Sequence, residues 1–197
     1  MKNVARTLKK EEKELLGSLI GKKLNYIHHQ NEQFFDMTLE RVGIDVEGSL
    51  YTLDADYEYD DFLWDNESYA KLSFKKVSSK DDFIIKAEPP LRYIDDKIND
   101  TILDVLLVED SIIMTENGMD SAFFKHAKGI VFCFDSYQIA LYLVDCLIDD
   151  FITVTKSTDA VSKINSTKDE RDNGCWSTGL GCRSYRNIVS VKKLLGQ

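Results

Sequence analysis

Apolar and polar side chains take alternate positions over much of this chain, most clearly from residue 51 to residue 60. The apolar set is Tyr51, Leu53, Ala55, Tyr57 and Tyr59, and the polar set is Thr52, Asp54, Asp56, Glu58 and Asp60. A period of two is the repeat of a β-strand, in which successive side chains point to opposite faces. The pattern predicts a strand with one apolar face and one acidic face.

Other short segments are rich in Val, Ile, Phe and Tyr, the residues that favour strands. These segments are Lys23 to His28, Phe35 to Val42, Leu72 to Val77, Phe83 to Lys86, Ile102 to Val108, Ser111 to Thr115, Gly129 to Phe134, Gln138 to Val144 and Phe151 to Thr155. The chain is therefore predicted to be mostly β.

One helix is expected near the start of the sequence. Between residues 7 and 20 the apolar positions fall near one helical face, and Gly21 follows as a stop signal. Pro89 and Pro90 mark the clearest break, because adjacent prolines fit neither a helix interior nor a central strand. We predict a β-dominated α+β fold of two antiparallel meanders with an N-terminal helix, and a single domain (1–197) whose halves, 1–88 and 91–197, join at the prolines.

The two halves also share a short similarity. When residues 49–62 are aligned with residues 138–151 without gaps, Leu50 matches Ile139 and Asp56 matches Asp145. The sequence Asp-Asp-Phe ends both segments. An internal duplication is one explanation, and chance repetition in an acidic chain is the other.

The net charge of −9 over 197 residues is distributed unevenly. Residues 1–29 hold seven basic and three acidic side chains, whereas residues 36–68 hold one basic and eleven acidic ones. Phosphates are neutralised by Lys and Arg, so direct nucleic-acid binding by the acidic segment is disfavoured. A field of this sign favours a basic macromolecular partner.

The lack of targeting signals and the surroundings of the cysteines both indicate a cytoplasmic protein. No stretch reaches the roughly 18 unbroken apolar residues of a membrane span, and the first residues lack a signal-peptide pattern. Cys133 and Cys146 lie in apolar surroundings typical of free thiols. Cys175 and Cys182 share a glycine-rich polar loop, where reduced thiols, a local disulfide and a chemical role all stay open.

The sequence supports neither a metal site nor a cofactor. An EF-hand would need Gly at the sixth loop position, where Tyr59 stands. His28 and His29 are adjacent on a predicted strand and so point to opposite faces. Cys175 and Cys182 lack the spacing and the further ligands of a zinc site. No nucleophile elbow, phosphate loop or dinucleotide fingerprint appears, so a non-enzymatic role is favoured.

The most distinctive feature is the mixture of acids and aromatics in residues 51–69, which hold seven acidic side chains and neither Lys nor Arg. Aromatic anchors give interfaces their affinity, and opposite charges steer encounter. We therefore predict a partner-binding surface for a basic protein. Its candidate residues are Asp54, Asp56, Glu58, Asp60, Asp61, Tyr57, Tyr59 and Trp64. The alternative is that the aromatics are core and the acids only solubilise.

The segments "SLIGKKLNYI" and "DDFLWDNESYAKLSFKKV" enclose this predicted meander. As a small, acidic and β-rich chain, it resembles the bacterial immunity proteins that neutralise secreted toxins, many of which are basic nucleases. The resemblance covers the first 80 residues or so and implies inhibition by binding, with a toxin nuclease domain as the partner. The alternative function is a small-ligand or metal-binding β-domain, or an enzyme without a local motif.

Overall fold

The structure is a computed structural model that describes residues 2–30, 37–60, 67–84, 93–144, 151–165 and 181–196. The strands in these ranges are β1 (Lys2–Arg6), β2 (Lys23–Gln30), β3 (Met37–Leu39), β4 (Arg41–Val46), β5 (Ser49–Asp60), β6 (Glu67–Val77), β7 (Tyr93–Thr101), β8 (Asp104–Glu116), β9 (Met119–Cys133), β10 (Gln138–Leu143), β11 (Phe151–Ser157) and β12 (Gly181–Ser190). The helices are α1 (Lys10–Gly17) and α2 (Val191–Leu195), with 3₁₀ helices at Lys80–Phe83 and Val161–Lys163. The predicted β-dominated class with an N-terminal helix is confirmed.

Five strands form an antiparallel sheet in the order β6-β5-β4-β2-β7. Strands β4, β5 and β6 are joined in sequence as a meander, and β2 and β7 complete the sheet. One face carries the apolar residues of these strands, including Ile44, Leu53 and Leu72, which are fully buried. In the described chain, β6 and β7 are the edge strands.

Seven strands form the second sheet, in the order β12-β8-β9-β10-β11-β3, with β1 added beside β9. Strand β9 is long enough to hold two neighbours on one side: β1 pairs with residues 122–126 in parallel, and β10 pairs with residues 129–133 in antiparallel. All other pairings in the sheet are antiparallel.

One hydrophobic core contains residues from both sheets and from both helices. Leu24 and Ile27 of β2 belong to it together with Val105 and Leu107 of β8. The pairing of β2 with β7 continues beyond the strand ends, because Ile102 accepts a hydrogen bond from the Gly21 amide (2.8 Å) and donates one to the Lys22 carbonyl (2.9 Å). A smaller cluster lies where the segment holding Ala160 and Ile164 packs on the seven-stranded sheet.

The two sheets do not coincide with the halves 1–88 and 91–197. Strands β1 and β3 precede the proline pair but belong to the seven-stranded sheet, and β7 follows it but belongs to the five-stranded sheet. The prolines themselves lie outside the described residues. The internal duplication stays a prediction, since Asp145 and most of the second Asp-Asp-Phe also lie outside them.

The helix is shorter than predicted, and it begins at a cap. The Glu12 carboxylate accepts a hydrogen bond from the Lys9 amide (2.5 Å), and its other oxygen accepts one from the Phe74 amide of β6 (2.9 Å). These bonds fix the start of α1 and hold it against the five-stranded sheet. Residues 18–22 form turns instead of a final helical turn.

The prediction of a strand from Phe83 to Lys86 is wrong at its first residue, because Phe83 belongs to a 3₁₀ helix. The Ser79 hydroxyl accepts from the Asp81 amide, and the Asp82 carboxylate accepts from the Ser79 amide (3.0 Å), which closes a 3₁₀ helix at residues 80–83. Phe83 is buried. Its ring lies on the backbone of Gly43 in β4, where a Cβ would overlap it.

Candidate functional site

The apolar half of the predicted strand pattern is confirmed in β5 for the three residues whose side chains are described. Tyr51, Leu53 and Ala55 are buried in the main core. The Tyr51 ring stacks on that of Phe74 in β6, with 5.6 Å between ring centroids. These aromatics therefore stabilise the fold and do not reach a surface.

Asp54 departs from the predicted solvent-exposed acidic face, because only 1% of this residue is exposed. Two cations on the neighbouring strands explain the burial: Arg41 of β4 lies directly opposite Asp54, and Lys75 of β6 lies opposite Thr52, two residues along β5. Arg41 Nε donates to one carboxylate oxygen, and Lys75 Nζ lies 2.7 Å from the other. Thr52 Oγ1 donates to the same second oxygen at 3.2 Å. Asp54 is thus a structural ion-pair residue and not a candidate contact for a partner.

Asp56, two residues later, has the exposure that the pattern predicts. It accepts a hydrogen bond from the Ser73 hydroxyl of β6 at 3.1 Å. The other predicted partner-binding residues lie outside the described side chains: Tyr57, Glu58, Tyr59, Asp60, Asp61 and Trp64. The backbone of residues 57–60 continues β5.

A second group of exposed acidic side chains, which the sequence pattern did not reveal, lies along β7. We call Asp95, Asp96 and Asp100 the acidic edge, since they are exposed residues of one edge strand. The side chains of Asp95 and Asp96 are 48% and 52% exposed. Asp100 accepts a hydrogen bond from the Tyr137 hydroxyl at 2.5 Å. Burial, together with this hydrogen bond, raises the pKa of the Tyr137 phenol.

Two histidines of β2 fix the first two carboxylates of the acidic edge. His28 Nδ1 lies 2.6 Å from Asp95 Oδ1, and His29 Nε2 lies 3.0 Å from Asp96 Oδ2. The two pairs lie on opposite faces of the sheet, as predicted for adjacent strand residues. The His28 ring stacks on Tyr93, with 4.9 Å between centroids and 10° between planes. Within the described ranges, no group of three metal-ligating side chains comes together.

The backbone of the acidic edge is irregular. The pairing of β2 with β7 shifts between Leu24 and Tyr26, and Asn99 takes a left-handed conformation with φ of 58°. A bulge and exposed charges are the devices by which edge strands avoid pairing with another sheet. The acidic edge is therefore suited to contacts through side chains and not to the addition of a strand.

A buried polar cluster stabilises the seven-stranded sheet. Arg186 of β12 donates from Nε and Nη2 to the two oxygens of Asp110 in β8, both at 2.8 Å. The same guanidinium donates to the carbonyls of Ile164 (2.7 Å) and Asn165 (2.8 Å), which ties the preceding loop to the sheet. His126 lies opposite Asp110 on β9.

Two further charged or titratable groups of this cluster are fully buried, His126 and Lys128. Burial, with the positive charges of Lys128 and Arg186 nearby, lowers the pKa of His126 to about 3. Lys128 Nζ donates to the Val144 carbonyl at 3.0 Å. His126 is consequently neutral near pH 7, and the cluster acts as a structural network.

The cysteines give no reactive centre in the described part of the chain. Burial and the nearby Asp104 raise the pKa of the Cys133 thiol to about 11, so it stays protonated near neutral pH. Cys175 and the side chain of Cys182 lie outside the described residues.

The described helices include none that is long and apolar enough to cross a membrane. Comparisons with protein-family models, curated proteins and solved structures found no match for the chain.

Proposed function

We propose that this chain is a non-enzymatic binding protein that inhibits a basic protein partner, in the manner of a bacterial immunity protein acting in the cytoplasm on a toxin domain. The acidic edge carries the proposal: three aspartates lie exposed on one strand of a chain whose net charge is −9. Asp56 on β5 adds a fourth exposed carboxylate on the same sheet.

Charge on this surface would act mainly on the rate of encounter. Exposed carboxylates attract a basic surface over roughly one Debye length, about 8–10 Å at physiological salt. Such pairs raise association rates and restrict the choice of partner more than they raise affinity. The histidine contacts hold Asp95 and Asp96 in place, so less side-chain freedom is lost when a partner binds.

Affinity would come from the aromatic side chains that follow Asp56 in the sequence. Tyr57, Tyr59 and Trp64 are the proposed anchors, together with the acids Glu58, Asp60 and Asp61 of the same segment. Aromatic anchors of this kind contribute about 2 kcal/mol or more when they become desolvated in an interface. Asp54 is excluded from the surface because it is buried by Arg41 and Lys75.

Gene context offers the first test of this proposal. An inhibitor of a toxin must be made together with it, so the gene should lie directly downstream of one encoding a large secreted protein with a variable C-terminal domain. That domain, produced in a cell-free system, should form a stoichiometric complex with this chain on size exclusion and lose its activity. A metabolic operon in that position would count against the proposal.

A further inference from the structure

A cavity of about 730 Å³ lies at the opposite edge of the five-stranded sheet from the acidic edge. It is lined by Arg41, Lys75, Lys76, Val77, Ser78 and Asp82. The cavity thus forms where β6 ends and the chain turns into the 3₁₀ helix at residues 80–83. Its volume falls within the range of small-molecule sites, about 300–1,000 Å³.

The wall of this cavity is positively charged although the chain as a whole is acidic. Arg41 and Lys75 share the single carboxylate of Asp54, so one of their two charges is not compensated by it. Lys76 adds a third cation and is exposed. The Asp82 carboxylate accepts from the amides of Ser78 (3.3 Å) and Ser79 (3.0 Å) in the turn. The three cations therefore exceed the two carboxylates, Asp54 and Asp82, by one positive charge.

The buried Asp54 carboxylate also fixes the positions of the charged groups of Arg41 and Lys75. Asp54 is 1% exposed and cannot move away from the sheet, whereas 28% of the Arg41 side chain and 54% of the Lys75 side chain are exposed. Arg41 is held a second time, because Nη1 donates to the Asp82 carbonyl at 3.0 Å. Cations that are fixed before a ligand arrives lose little conformational entropy on binding it.

We propose that this cavity binds the phosphate group of a small molecule. A carboxylate ligand is best recognised by the planar fork of an arginine, and Arg41 already uses Nε for Asp54 and Nη1 for a backbone carbonyl. The further donors at the cavity are point donors at separate positions: the ammonium of Lys75, which also contacts Asp54, the ammonium of Lys76 and the hydroxyl of Ser78. Point donors around an open cavity suit the three terminal oxygens of a phosphate.

This site is independent of the proposed protein partner, since it lies at a different edge and has the opposite charge. Calorimetric titration with inorganic phosphate, phenyl phosphate and acetate tests it. We expect saturable binding of a phosphate probe and no saturable binding of acetate. Tighter binding of phenyl phosphate would identify a phosphomonoester as the ligand, and tighter binding of inorganic phosphate would identify the free ion; either result supports the site.

The variant K76Q/S78A removes two donors without touching Asp54, so it should fold as the wild type does. We expect its dissociation constant for the phosphate probe to rise at least about tenfold, since charge-assisted hydrogen bonds are lost. The matched control is K71Q, which removes a lysine from the same strand outside the cavity and should leave binding unchanged. Amide chemical shifts of the wild type should change at residues 75–78 on addition of phosphate. Equal affinity in all three proteins, shift changes elsewhere, or equal binding of acetate would overturn the proposal.

Discussion

Arg41 lies directly opposite Asp54 in the register of β4 and β5, and its Nε donates to the buried Asp54 carboxylate. Lys75 completes the contact from the other neighbouring strand. The burial of Asp54 thus depends on the strands beside it, which supply the two cations that a buried carboxylate requires.

Replacement of Asp54 by Asn should destabilise the fold by about 1–3 kcal/mol, because it removes the charged acceptor of two cations and a hydroxyl. The loss stays moderate because Arg41 and Lys75 are partly solvated. Asp56→Asn is the matched control, and it should change stability by less than about 0.5 kcal/mol, as expected for an exposed position. Urea unfolding of both variants measures the difference, and equal stabilities would contradict the assignment of Asp54 as a structural residue.

Gly43→Ala should destabilise the chain by about 1–3 kcal/mol, the usual cost of overpacking, because its Cβ would overlap the Phe83 ring. Phe83→Ala alone should also destabilise, through the cavity that it leaves. In the Phe83→Ala background, Gly43→Ala should cost almost nothing, since the ring is gone. A double-mutant cycle by thermal or urea unfolding measures this coupling, and additive losses would show that the two residues are not in contact.

Acidification should destabilise the fold through His126. Its pKa is about 3 in the folded chain and about 6.5 in an unfolded chain, so the unfolded state binds more protons between these values. Stability is therefore lost as the pH falls below about 6.5, by roughly 2 kcal/mol between pH 7 and pH 5. Over the same pH interval, the His126→Gln variant should lose roughly 2 kcal/mol less stability than the wild type. Parallel pH dependence of unfolding in the two proteins would show that His126 is accessible to protons in the folded state.

The alternation of side chains along β5 predicted the strand and its apolar face, and the structure confirms the strand and, at Tyr51, Leu53 and Ala55, the buried face. The same alternation predicted that Asp54 and Asp56 would both be exposed, yet Asp54 is buried and Asp56 is exposed. What separates them is the extent of β4: its first residue, Arg41, pairs with Asp54, whereas Asp56 lies beyond the described pairing of β4 with β5, a limit that a local period of two does not contain. The burial of a polar strand residue is set by its neighbours from other strands.

Strands β1, β7 and β12 were not predicted, for physical reasons that differ between them. Strand β1 is stabilised by parallel pairing with β9, more than a hundred residues away, and no local pattern encodes such a contact. The sequence of β7, YIDDKINDT, is polar on both faces because it forms an exposed edge. Strand β12 is likewise an edge of the described sheet, and its arginines meet aspartates of β8 and β9 only in the folded chain.

The most direct test of the central claim is the association rate of this chain with the basic C-terminal domain encoded upstream, measured by stopped-flow fluorescence. The variant D95N/D96N removes two charges from the acidic edge, and E11Q/E14Q removes two from the exposed face of α1 as the matched control. We expect the first variant to associate about threefold to tenfold more slowly at low ionic strength and to depend less on added salt, with the control unchanged. Equal rates and equal salt dependence in all three proteins would contradict a partner-binding role for the acidic edge.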